Sequence, residues 1–99
     1  NMVSVIPVDP GRAFAVKIED SSMAPKLDAG AVLVVNPEAR FTSFDGGIGV
    51  VVRDGRFSVR HVYAVGDSFI LVPSNPAFFP EVIPSKDIQV FEIAFSIPK

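Results

Sequence analysis

Asp54-Gly55 stands between two β-rich runs, Ile48 to Arg53 and Arg56 to Tyr63. A two-residue Asp-Gly link reverses the chain tightly, because both residues tolerate the positive φ that a hairpin turn demands. The middle of the chain is thereby committed to antiparallel pairing. The wider sequence agrees: sixteen valines and eight isoleucines stand against three leucines. Stiff, β-branched side chains pack well on a pleated surface and poorly in a helix. Ala13 to Glu19 alternates, with Phe14, Val16 and Ile18 on one face and Lys17 and Glu19 on the other. Such alternation predicts a half-buried strand. Ala31 to Val35 is a continuous apolar run, expected to be buried on both faces and broken by Asn36-Pro37. Asp45-Gly46-Gly47 and Gly66-Asp67 read as turns, and Ser68 to Val72 as a strand. Pro73 to Pro84, with four prolines, reads as an extended, ordered loop, and Ile88 to Ile97 as the last strand. A short helical turn is expected between Ser22 and Asp28, closed by Gly30. The predicted fold is mostly β, twisted antiparallel sheets with one short helical turn.

Ninety-nine residues suffice for one domain at about 150 residues per domain. Residues 13–99 are assigned to it, and residues 1–12 read as an N-terminal linker remnant. Eleven acidic and nine basic residues give a net charge of −2, with no run of like charge. Arg53, Arg56 and Arg60 are interrupted by Asp54 and read as ordinary strand and turn charge, so no nucleic-acid footprint is expected. The absence of cysteine excludes disulfides, thiolate metal sites and a cysteine nucleophile. No cofactor or metal is expected. No apolar run approaches the ~20 residues of a membrane span, and no signal peptide opens the sequence, so a cytoplasmic location without membrane contact is expected.

Ser22-Met23-Ala24-Pro25 follows the first alternating strand. A serine on such a bend is either a helix cap or a presented nucleophile with free amide N–H groups nearby. The order of the surrounding segments separates the two. Phe14 to Pro25 is followed by Leu27-Asp-Ala-Gly30, Val32 to Val35, Asp45-Gly46, Phe57-Ser-Val59-Arg60-His-Val62, Phe69-Ile-Leu71 and Ser74-Asn75-Pro76. This succession resembles the LexA-like serine peptidase family, which includes self-cleaving repressors and the C-terminal domains of phage repressors, over roughly residues 13 to 95. The resemblance implies a LexA or signal-peptidase-like β-fold. It places Ser22 at the nucleophile position and Arg60 where the family carries its general-base lysine.

That substitution changes the chemistry. A lysine must be neutral to take the serine proton, and lowering its pKa from ~10.4 toward ~7–8 costs about 4 kcal/mol. Arginine starts well above lysine, and the same shift costs roughly 7–9 kcal/mol. A guanidinium is a donor only. Ser22 is therefore expected to be a vestigial nucleophile. Other bases fit poorly. His61 should face away from Ser22 if Arg60 faces toward it, because strand side chains alternate. Lys17 lies on the polar strand face, and Lys26 is expected in solvent. Glu19 and Asp20 read as solvated surface. Asn75-Pro76 with Phe78-Phe79-Pro80 reads as aromatics capping the core under a loop, with a partner-binding loop as the alternative.

Phe91, Ile93, Phe95 and Ile97 share one face of the last strand. A terminal strand this apolar is either covered within its own chain or forms an association edge. The resemblance implies the second, a homodimer or higher homo-oligomer built through this region. It implies a self-association and regulatory domain of a phage-type transcriptional repressor, joined to DNA only through an N-terminal helix-turn-helix part outside residues 1–99. An antirepressor or activator protein is the further partner class. Residues 1–12 contain no Ala-Gly or Cys-Gly pair that would mark a family cleavage site. An active self-cleaving serine peptidase with a different base stays open as the alternative, and a signal-peptidase relative as a third.

Overall fold

The computed structural model describes residues 3–9 and 13–98. Eight strands form one sheet, β1 (Val3–Asp9), β2 (Ala13–Ile18), β3 (Val32–Arg40), β4 (Asp45–Arg53), β5 (Arg56–Val65), β6 (Ser68–Val72), β7 (Glu81–Pro84) and β8 (Gln89–Ile97). Their spatial order is β1-β2-β3-β8-β4-β5-β6-β7, and every pairing is antiparallel. The expected mostly-β class is what the chain adopts. Among the described residues, no helix is long and apolar enough to cross a membrane.

The predicted Asp54-Gly55 hairpin is present, and the Gly66-Asp67 turn is also a two-residue hairpin. Arg53 pairs with Arg56 around Asp54 and Gly55, at φ 51° and 73°. Val65 pairs with Ser68 around Gly66-Asp67. Positive φ at both central residues of the first turn gives the mirror-image geometry that matches the right-handed strand twist.

Five stretches differ from the sequence reading. Asn36-Pro37 does not end β3. Between Val35 and Arg40 the register slips, with only Ile93 and Phe91 opposite, so the proline sits in a bulged stretch where no ladder hydrogen bond is demanded of it. Asp45-Gly46-Gly47 is a bulge opening β4 rather than a free turn: Asp45 faces Tyr63, Gly47 faces Val62, and Gly46 has no partner in β5. Gly46 has φ +97°, and a Cβ there would meet the Tyr63 hydroxyl at 2.8 Å, so both backbone and space call for glycine. Pro73 to Pro84 hides β7, a four-residue edge strand that tolerates its proline because its outer side pairs with nothing among the described residues. The helical turn at Ser22 to Asp28 is a hydrogen-bonded turn holding one Leu27 N–H to Met23 carbonyl bond of 2.9 Å. The 3₁₀ turn lies at Ser85–Asp87 instead. Of the stretch read as linker, Val3–Asp9 is β1, while residues 1, 2 and 10–12 lie outside the described residues.

β8 joins two halves of the sheet. Its residues Gln89, Val90 and Phe91 pair with β4, and Phe91 to Ile97 pair with β3. Two apolar clusters flank the sheet, and β4 and β5 contribute to both. Val16, Ile18, Met23, Leu33, Val35, Val50 and Val59 form one, with Phe14 set edge-on to Phe57 and Phe91. Phe41, Val51, Val62, Leu71, Ile83 and Ile88 form the other. Val50 and Val51 are consecutive and feed opposite clusters, because successive strand side chains point to opposite faces. A Cβ added to Gly47 would collide with Ser43 Cβ and come within 2.7 Å of the Ser43 carbonyl oxygen. Gly47→Ala is therefore expected to lower stability by about 1–3 kcal/mol, read as a drop in the urea midpoint at unchanged slope.

Candidate functional site

β2 ends at Ile18 and hands the chain to a turn that β3 anchors from the other side. The Ile18 N–H donates to the Ala31 carbonyl at 2.9 Å, and the Gly30 N–H donates to the Ile18 carbonyl at 2.7 Å. Met23 is fully buried in the first cluster and pins the turn from below. Ser22 is held beside it, 2% exposed. A third support comes from the loop after β6. The Asn75 N–H donates to the Ser22 carbonyl at 3.0 Å, and its side-chain amide donates to the Ser21 carbonyl at 3.0 Å.

Two charged side chains meet the Ser22 hydroxyl. The hydroxyl donates to Asp20 Oδ1 at 2.7 Å and accepts from Arg60 Nη1 at 3.0 Å. Asp20 Oδ1 also accepts the Ser22 backbone N–H at 3.0 Å, the local pattern of an Asx turn. Arg60 reaches Ser22 from the middle of β5 and is itself 5% exposed. Its Nη1 also donates to the Val59 carbonyl at 2.7 Å. Burial pushes the Arg60 pKa down by desolvation, and the carboxylates of Asp20 and Glu81 oppose that shift by attraction. The guanidinium nevertheless stays cationic at neutral pH, as arginine does throughout proteins. Among the described residues, no buried side-chain nitrogen or oxygen lacks a hydrogen-bond partner.

The only proton of the Ser22 hydroxyl is directed at a carboxylate, and one of its lone pairs is taken by a guanidinium. Carboxylates are far weaker proton acceptors than neutral amines, and a general base needs a proton affinity matched to the operating pH.

The structure brings Ser22 and Arg60 together as the sequence reading expected. It separates His61 from them: His61 Nδ1 lies 2.9 Å from the Gly46 carbonyl, and Nε2 lies 2.7 Å from Ser74 Oγ. Lys17 and Lys26 are exposed. Asp20 corrects the surface reading. It is half-buried and part of the site, and the signal was its position two residues before Ser22, the spacing of an Asx turn. Asn75 is a brace for the nucleophile turn. Phe78 is half-buried, but Phe79 is 87% exposed, so it does not cap the core. The last-strand face divides: Phe91 and Ile93 pack against the first cluster, while Phe95 and Ile97 are 56% and 49% exposed.

A serine on a buried turn, met by a basic side chain from the central hairpin of an antiparallel β-domain, defines the class of serine peptidase-like domains that pair serine with a basic residue. The sequence profile of the Peptidase S24-like family matches residues 2–94, and the chain belongs to that family. A comparison with curated proteins gives no match.

Asp20 links the turn backbone, the hydroxyl and the buried cation. Asp20→Ala is expected to destabilise the fold by about 1.5–3 kcal/mol, with Asp20→Asn costing less because it keeps an acceptor oxygen. Urea unfolding of the two variants checks the order.

Proposed function

We propose that this chain is a self-association and regulatory domain of a phage-type transcriptional repressor, working in the cytoplasm without autoproteolysis. The observation that carries the reading is the 3.0 Å hydrogen bond from Arg60 Nη1 to Ser22 Oγ. A donor with no lone pair occupies the one place from which a base would act, in a family whose members cut at that serine. The scaffold is kept and the proton acceptor is gone, so what the domain supplies is its surface.

That surface is the outer half of β8. Past Phe91, β8 is paired only on its β3 side among the described residues. Its backbone edge away from β3 is unpaired there, and Phe95 and Ile97 in the same stretch are exposed on the sheet face. Two copies related by a two-fold axis would pair these strands and cover both side chains, the commonest form of assembly. A dimer of this kind lets two DNA-reading modules, attached outside residues 1–99, engage a two-fold operator. With cleavage closed, release from DNA falls to a partner protein, an antirepressor or an activator, that competes for or remodels the dimer.

Sedimentation equilibrium tests the assembly. The wild type is expected to be dimeric at micromolar concentration, and Phe95→Asp with Ile97→Asp is expected to weaken the dimer by at least about tenfold. A wild type that stays monomeric at high micromolar concentration refutes this half of the reading. Prolonged incubation of the full-length protein at alkaline pH is expected to leave it intact by mass spectrometry. A defined fragment that disappears in Ser22→Ala refutes the other half.

A further inference from the structure

His61 forms a second serine site, separate from Ser22. Its Nδ1 faces the Gly46 carbonyl oxygen at 2.9 Å. A carbonyl can only accept, so Nδ1 carries the hydrogen. In the neutral ring Nε2 is then the bare nitrogen, and Ser74 Oγ, 2.7 Å away, donates its proton to it. A hydroxyl bonded to an unprotonated imidazole nitrogen, with the ring oriented by a third group, is the general layout of an activated nucleophile. Here a backbone carbonyl stands where a carboxylate orients the ring in a serine-histidine-aspartate triad.

Three features of the chain build this contact. Gly46 is the bulged residue of β4, with no cross-strand partner in β5, which leaves its carbonyl for His61. His61 pairs across the sheet with Val72, two residues before Ser74. Asn75, next in sequence, is tied to the carbonyls of Ser21 and Ser22, which fixes the loop that carries Ser74. Unlike Ser22, both Ser74 and His61 are half-buried, so a small reagent can reach them.

We propose that Ser74 is a nucleophile that accepts an acyl or phosphonyl group from small activated esters, with His61 as its general base. Ser74 Oγ forms the new bond to the acyl carbon or to phosphorus. The leaving group departs with the electron pair of the bond it gives up. The Oγ proton passes to His61 Nε2, which can return it to the departing alkoxide.

The test is labelling of the whole chain with a fluorophosphonate, where fluoride leaves, followed by peptide mapping. Ser85, whose hydroxyl donates to the Asp67 carbonyl at 2.9 Å, is the internal reference for an ordinary serine. Ser74 is expected to label at least about 100-fold faster than Ser85, and His61→Gln is expected to bring it down to the reference rate. Long-range proton–nitrogen correlation spectra at alkaline pH are expected to show the proton of His61 on Nδ1, a readout that does not depend on any variant folding. Equal labelling of Ser74 and Ser85, undiminished labelling of Ser74 in folded His61→Gln, or a proton on Nε2 overturns the proposal.

Discussion

A guanidinium buried against a serine hydroxyl is the contact on which this molecule turns. Arg60 is 5% exposed and Ser22 is 2% exposed, and removing a charge from water is costly unless the protein returns what the solvent gave. The return comes from several directions. The Ser22 oxygen and the Val59 carbonyl accept from Nη1, and the carboxylates of Asp20 and Glu81 lie close enough to attract the charge. Asp20 does a second task through the same oxygen, fixing the backbone of the turn that presents Ser22. The site is thus stable as an ion-containing network centred on Arg60.

The strands matter because they bring these groups in from distant parts of the sequence. Ser22 follows β2, Arg60 lies within β5, and Glu81 opens β7. β8 makes that convergence possible by pairing with β3 through most of its length and with β4 at its start. The two halves of the sheet meet there, and β4 and β5 contribute to both apolar clusters. What β8 does not use internally, the free edge beyond Phe91 and the exposed side chains of Phe95 and Ile97, is the surface on which the proposed assembly rests. Under the proposed reading, Ser22 has no chemistry to do and β8 supplies contact area, one division of labour within a peptidase-like fold.

Much of this was legible in the sequence, for physical reasons that differ by element. Asp54-Gly55 declared its hairpin, and Gly66-Asp67 its turn, because few residues accept those backbone angles. The pairing of Ser22 with Arg60 was legible only through the ordered resemblance, since thirty-eight residues separate them and no local rule connects them. β7 was obscured by the prolines around it, which are tolerated at an edge whose outer side makes no ladder. The bulge at Gly46 looked like a turn because glycine-rich turns and bulges use the same left-handed conformation. Asp20 was missed because a carboxylate beside exposed Glu19 reads as solvated charge, although the chain turns after Ile18 and brings Asp20 onto the Ser22 backbone.

The direct measurement is the reactivity of Ser22 itself, resolved by peptide mapping after treatment with a serine-reactive fluorophosphonate, in the wild type and in Arg60→Lys. Arginine as the block predicts an unlabelled Ser22 in the wild type and a labelled one in Arg60→Lys, with a rate that climbs as pH rises and the amine loses its proton. Labelling of wild-type Ser22 at the rate seen in Arg60→Lys would contradict the account, because it would mean that a guanidinium in this position does not keep the serine inert.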